Sequence, residues 1–175
     1  MGYHHLALAA RDMKALHHFY EKVMGFELVK AEIGPSPEGG WAKHFFYRME
    51  DNSKFLAFWE MHDMPGVADD FESNLSKAAG LPDHINHIAF DVADMAELMR
   101  RKQDWLNAGL DVMEIDHNWC YSIYTKDPND NLVEFCVTTG TFTGEDREFA
   151  LSALERDDLD MSKPPAKIER HKATA

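Results

Sequence analysis

The sequence predicts an α+β fold: two βαβββ modules packed into one shared, curved, mixed sheet. Three observations predict it. The segment "HLALAARDM" (5–13) returns as "HIAFDVADM" (87–95), an offset of 82 residues at which His, Ala, Asp and Met coincide; such self-similarity marks a duplicated unit. Each copy is followed by the same order of strand, helix and three strands. One unit of this kind covers only one face of its sheet, so the two are expected to pack together.

In chain order, "YHHLALAA" (3–10) reads as a strand. Asp12 is placed to cap the helix that follows, in which Leu16, Phe19, Tyr20 and Val23 share a face. Gly25 ends that helix, and "FELVKAEI" (26–33) reads as a strand. "GPSPEGG" (34–40) is a loop by its Gly and Pro content. "WAKHFFYRM" (41–49) and "KFLAFWEM" (54–61) are strands, with "EDNS" (50–53) as the turn. The first module thus spans 3–61, and 62–83 is an insert with one short helix. The second module, 84–138, repeats the order, with Asp94 opening its helix, Gly109 following it, and last strands at 119–126 and 131–138. Residues 1–140 form one domain; 141–175 add an amphipathic helix in "EDREFALSALE" and a polar, Pro-interrupted tail expected to be mobile.

Composition excludes several classes. A net charge of −13 and a pI near 5.1 repel phosphate backbones and anionic lipid, so neither nucleic acid nor membrane is an expected partner. No apolar run approaches the ~20 residues of a membrane span, and the N-terminus lacks the basic and apolar regions of a signal peptide. Cys120 and Cys136 are the only cysteines, which suggests a reducing, cytoplasmic setting in which both are small buried hydrophobes. Ten histidines motivate a search for metal ligands.

Strand alternation selects among them. Ile88, Phe90 and Val92 make an apolar face, which leaves His87, Ala89 and Asp91 on the other. By the repeat, His5 takes the place of His87. A glutamate interrupts the apolar run of each module's last strand: Glu60 in "FLAFWEM" and Glu134 in "NLVEFCV". A carboxylate in a buried strand is costly unless paired or metal-bound. Each of these residues alone reads more simply as a surface or hydrogen-bonded group. Their matching positions favour a metal site of His5, Glu60, His87 and Glu134, with donors that suit Zn, Fe(II), Ni, Mn or Co.

With "HLALAARDM...FYEKVMGFEL" and "HIAFDVADM...DPNDNLVEF", the chain resembles the vicinal oxygen chelate superfamily over roughly residues 3–138. That superfamily holds glyoxalase I, bleomycin and fosfomycin resistance proteins, methylmalonyl-CoA epimerases and type I extradiol dioxygenases. The resemblance implies metal ligands from the first and last strands of the modules, which are the same four residues. "DHNWCYSIYTKDPNDNLVEF" is similar to the extradiol signature at His117, Ile123, Tyr124, Asp127, Pro128 and Glu134, with Asp130 standing where the pattern wants Gly or Pro. That similarity implies Glu134 as a ligand, and His117 and Tyr124 as groups that hydrogen-bond a metal-bound catecholate and oxygen.

Two chemistries compete. Extradiol cleavage takes Fe(II) or Mn(II) on two His and one carboxylate, leaving three positions for a catecholic substrate and O2. Isomerisation of the glyoxalase or epimerase type takes four protein ligands and a dicarbonyl-type substrate. The role of Glu60 separates them. Extradiol enzymes also carry a histidine base near the start of the fourth strand, where this chain has Lys54; His62 is the substitute candidate and His44 a weaker one. Trp41, Phe46, Phe58 and Trp119 are candidates for the substrate wall, and Met64, Phe71 and Leu75 of the insert for its cover, each against the simpler reading of ordinary core. The ring-cleaving oxygenase is the favoured reading, followed by the isomerase and then by a metal-free binding or resistance protein. Such modules assemble in pairs, so a homodimer is expected.

Overall fold

The computed structural model describes residues 2–49, 53–158, 160 and 166–173. The turn at 50–53 therefore falls mostly outside the described residues, as does part of the C-terminal tail. Two βαβββ modules are present; their strands, with one more from the C-terminal tail, form a four-stranded and a five-stranded sheet.

The first sheet has the order β1 (His5–Ala10), β4 (Phe55–His62), β3 (Trp41–Arg48), β2 (Glu27–Pro35). β1 and β4 run parallel, with His5 opposite Phe55 and Ala9 opposite Trp59. β3 runs antiparallel to β4, with His44 opposite Trp59 and Lys43 opposite Glu60. Asp12 caps α1 (Met13–His17) by accepting from the Ala15 N–H at 3.0 Å. The chain then winds into a π-helical segment, His18–Val23, which ends as Phe26 N donates to Tyr20 O. This wider turn, unannounced by a clean 3.6-residue period, buries Phe19 and Tyr20 together. Tyr20 packs 4.9 Å from Phe58 between ring centres. Leu16, Met24, Tyr47 and Leu56 complete a fully buried cluster, each side chain contributing about 1.5–3 kcal/mol by leaving water. Gly40, at φ +71, closes the β2–β3 connection against the end of β4; a Cβ there would lie 2.3 Å from His62 O, so only glycine fits.

The second sheet has the order β5 (His87–Asp91), β8 (Leu132–Thr138), β7 (Cys120–Lys126), β6 (Val112–Asp116), β9 (Lys167–His171). The short helix of the insert is α2 (Leu75–Ala78). Asp94 caps α3 (Met95–Asn107) through the Glu97 N–H, as its position in the repeat predicts. Trp105 of α3 is fully buried and stacks on Phe135 at 5.2 Å. A C-terminal helix, α4 (Gly144–Ala153), opens with a capping box at Thr143 and Asp146 and buries no residue.

β9 corrects the expectation of a wholly mobile tail. "KIERH" pairs antiparallel with β6, Glu169 facing Glu114. The buried Glu114 accepts hydrogen bonds from Lys102 and Tyr121, and His171 Nε2 lies 2.9 Å from its carboxylate. The strand exists through this non-local pairing, which composition does not reveal.

The chain divides into two compact units, Met1–Ile88 with Lys126–Val133, and Ala89–Thr125 with Glu134–Ala175. The turn between β7 and β8 thus belongs to the first unit. Tyr20 donates to Asp127 Oδ2 at 2.9 Å, and the Asn129 and Asn131 N–H groups donate to Asp127 Oδ1. Asn129 Nδ2 reaches Ala9 O at 2.7 Å, and Leu75 N donates to Asn131 Oδ1 at 2.8 Å.

Candidate functional site

In the first unit, register separates the residues of the sheet onto two faces. Residues paired across neighbouring strands share a face, and successive residues alternate. One face carries His5, Ala7 and Ala9 with Phe55, Ala57, Trp59, Ala42, His44 and Phe46. The other, beneath α1, carries Leu56, Phe58, Glu60, His62, Lys43 and Tyr47.

On the first face, the His5 ring lies 5.7 Å from Phe46 and 6.4 Å from His44. His4 Nδ1 is 2.9 Å from His5 Nδ1. His44 stacks on Trp59 at 3.7 Å with a 12° tilt, and its buried Nε2 has no hydrogen-bond partner among the described residues. Burial pushes the His44 pKa down, and the neighbouring His5 adds to that, against a smaller opposing effect of Glu32.

Glu60 is on the other face. Its Oε1 accepts from Lys43 Nζ and from His62 Nε2, both at 2.8 Å. Burial raises its pKa, but these hydrogen bonds outweigh burial and hold the carboxyl below its ordinary value. The sheet itself therefore stands between Glu60 and His5, and the expectation that the two converge on one ion does not fit this chain. β4 offers no nitrogen or carboxylate ligand on the His5 face, where it presents Phe55, Ala57, Trp59 and Met61. His62 goes with Glu60 and stacks on Trp41 at 3.9 Å, so neither lies on the His5 side. Phe58 is fully buried beneath Tyr20 and is core rather than substrate wall.

In the second unit the hairpin brings its three predicted residues into one cluster. His117 N donates to Cys120 O at 3.0 Å, and Asn118 takes φ +70 in the tight turn between β6 and β7. That turn holds His117 Nε2 at 3.0 Å from Tyr124 Oη. Tyr124 is buried, and burial together with the adjacent Glu134 carboxylate, a hydrogen-bond acceptor to its hydroxyl, raises its pKa far above the ordinary phenol value. Glu134 is only 5% exposed. Alternation places it with Cys136 on the face opposite Val133 and Phe135. Cys136 is pushed up to about 11 by burial, then by Glu134, Cys120 and Asp91. Asp91 shares the side of β5 that His87 occupies, opposite the buried Ile88 and Phe90. Trp119 is half exposed and packs on Phe142 at 5.3 Å.

Asp130 has φ +65, the left-handed conformation that makes glycine the usual occupant; here Lys77 and Lys126 pair with its carboxylate. Asp127 and Pro128 of the signature serve the turn, and Asp127 is spent on Tyr20 and backbone amides.

By donor chemistry alone, the expected ligands His5, His87 and Glu134 are of types that a divalent ion takes. A carboxylate as buried as Glu134 is stabilised by a cation or by hydrogen-bond donors, and imidazole with carboxylate suits a borderline metal. Among the described residues, the one group of three His and acidic side chains whose ligand atoms lie within 4.8 Å of one another is Glu114, Glu169 and His171. It went unseen in the sequence because its partners come from β6 and the unforeseen β9. Lys102 and Tyr121 already occupy its buried carboxylate. Among the described residues no helix is long and apolar enough to cross a membrane.

Comparison with solved structures returns matching folds at low identity. A glyoxylase/bleomycin resistance protein/dioxygenase domain from Frankia sp. EAN1pec matches with TM-score 0.59 and 15% identity, covering 79% of this chain and 98% of that one. A fosfomycin resistance protein from Listeria monocytogenes matches with TM-score 0.54 and 17% identity, over 84% and 98%. An antibiotic-binding protein from Streptomyces sp. CB03234 matches with TM-score 0.51 and 14% identity, over 79% and 97%. These likenesses establish the fold alone. A search of curated proteins gives no match. The family model of the Glyoxalase/Bleomycin resistance protein/Dioxygenase superfamily matches residues 2–135. With that model spanning most of the chain over two βαβββ modules, the protein belongs to the glyoxalase/bleomycin resistance/dioxygenase, or vicinal oxygen chelate, superfamily.

Proposed function

We propose that the chain is a metal-dependent oxygenase that opens catecholic rings beside the diol. The cluster of His117, Tyr124 and Glu134 carries this reading: an acid ligand with two hydrogen-bonding groups on one hairpin. The ligand candidates are His87 and Glu134, with His5 from the first module. The engagement of Glu60 with Lys43 and His62 supports the same reading, since isomerase chemistry of the four-ligand type would need Glu60 as its fourth ligand.

Fe(II), or Mn(II) in its place, supplies the redox chemistry with O2 when bound. The protein's own groups do the rest. Tyr124, with its raised pKa, stays protonated through the neutral range and donates a hydrogen bond, while its oxygen accepts from His117 Nε2. That chain fixes the imidazole tautomer and holds a donor beside the Glu134 carboxylate, where a bound diolate develops charge. His44, whose buried Nε2 has no hydrogen-bond partner among the described residues, lies on the His5 face and replaces His62 as the candidate partner for a catechol proton. Trp59, stacked on His44, offers that face an aromatic wall.

The test is anaerobic purification, loading with Fe(II), and mixing with 2,3-dihydroxybiphenyl or catechol in air. A yellow ring-opened product with matching oxygen uptake is expected. No product from a protein that holds Fe(II) or Mn(II) through four of its own ligands overturns the reading.

A further inference from the structure

The first unit also holds a cavity of about 770 Å³ on the helix side of its sheet, the face away from His5. Its size falls in the range of small-molecule sites. Met13, Phe45, Met64 and Phe71 supply apolar wall. The insert lines this cavity through Met64 and Phe71, and Met64 also borders a smaller cavity on the His5 face beside Ala42 and Trp59. The polar groups converge from three elements: Lys43 with Glu60 and His62, and His17 with its Nδ1 3.0 Å from Tyr47 Oη. The cavity is a cleft open to solvent, with this hydrogen-bonded polar cluster in its lining.

Its charge suggests the occupant. Lys43 is half buried and gives one hydrogen to Glu60, leaving two on its ammonium. Arg11 and Lys14 also line the cavity, and among the described residues neither side chain has a carboxylate partner. In a chain of net charge −13, most such cations are paired, as Lys77, Lys102 and Lys126 are. The acidic residues of the lining offer less: Glu60 is engaged, Asp12 caps α1, and Asp63 and Asp69 are exposed to water.

We propose that this cavity is a second binding site, distinct from the metal candidates, for a small organic acid: an apolar body against the methionines and Phe71, its carboxylate on Lys43 with Arg11 and Lys14 nearby. The site does not depend on the oxygenase reading.

The experiment uses the full chain with 13C-methyl methionine and titrates 4-phenylbutyrate and its neutral amide. Two of the ten methionines, Met13 and Met64, supply side chains to its wall. Their signals are expected to shift saturably, with the carboxylate binding at least tenfold more tightly than the amide. The double variant Arg11→Gln/Lys14→Gln, changed only at exposed residues, is expected to weaken the carboxylate at least fivefold and leave the amide unaltered. Glu134→Gln is expected to leave the titration unchanged, which separates this result from any outcome of the oxygenase test. Shifts absent at millimolar ligand, shifts spread over the other methionines, or equal affinity for acid and amide overturn the proposal.

Discussion

Replacing Glu60 by glutamine keeps an acceptor oxygen opposite Lys43 and His62 but removes its charge. Both hydrogen bonds are 2.8 Å long, and the Glu60 and Lys43 side chains are 23% and 29% exposed. An ion pair fully on the surface contributes about 0–1 kcal/mol, and a hydrogen bond to a buried charged group about 1.5–3 kcal/mol. This half-buried pair lies between, so Glu60→Gln is expected to cost about 1–2 kcal/mol at pH 7. For a chain of this length that lowers Tm by roughly 2–8 °C. The pH dependence has a definite sign. The carboxyl pKa is lowered on folding, so the contribution is complete above the ordinary carboxylate value and is lost as pH falls through the folded one. Thermal melts of both proteins at pH 7, 5 and 4 should therefore converge towards acid. Metal content after Fe(II) loading should be the same in both. A variant with unchanged Tm and less bound metal would refute the placement of Glu60 as a structural carboxylate.

Tyr20→Phe removes a donor from the buried Asp127 and is expected to cost about 1–3 kcal/mol in urea unfolding. Burial already raises the Asp127 pKa against the pull of Tyr20; a raised carboxyl loses stability as pH rises through its folded value, so the deficit of the variant should be larger at pH 7 than at pH 4. Tyr124→Phe leaves His117 and Glu134 in place but removes the hydroxyl between them; ring-cleavage turnover is expected to fall about 10²-fold or more with Fe(II) content retained, and parallel loss of both would instead make Tyr124 a prop of the ligand. Glu114→Gln weakens the attachment of β9, so amide exchange at Lys167–His171 should quicken while that of α3 holds.

The fold was legible because the repeat, the helix caps at Asp12 and Asp94 and the last strand of each module are local signals. The Glu134 hairpin was legible for the same reason: "CYSIYTK" and "LVEFCV" are short strands around a turn, and their polar residues stand out. Glu60 was misplaced because "KFLAFWEM" is apolar on both faces, so its alternation gives no bearing; the face is set by register with β1 and β3. His44 was ranked below His62 because stacking on Trp59 and a partnerless nitrogen are tertiary facts. The π-helical turn and β9 depend on packing and pairing at long range, which propensity does not encode.

The β7–β8 turn has a historical consequence. A duplicated unit begins as two interchangeable copies. Here Tyr20 and the Ala9 carbonyl of the first copy are completed by Asp127 and Asn129 of the second. A chain cut after Ile88 would leave those groups unmet, and one beginning at His87 would lose the anchor of the turn from which Glu134 follows. The copies have become mutually dependent, so the duplication cannot be undone by splitting the gene at its own seam.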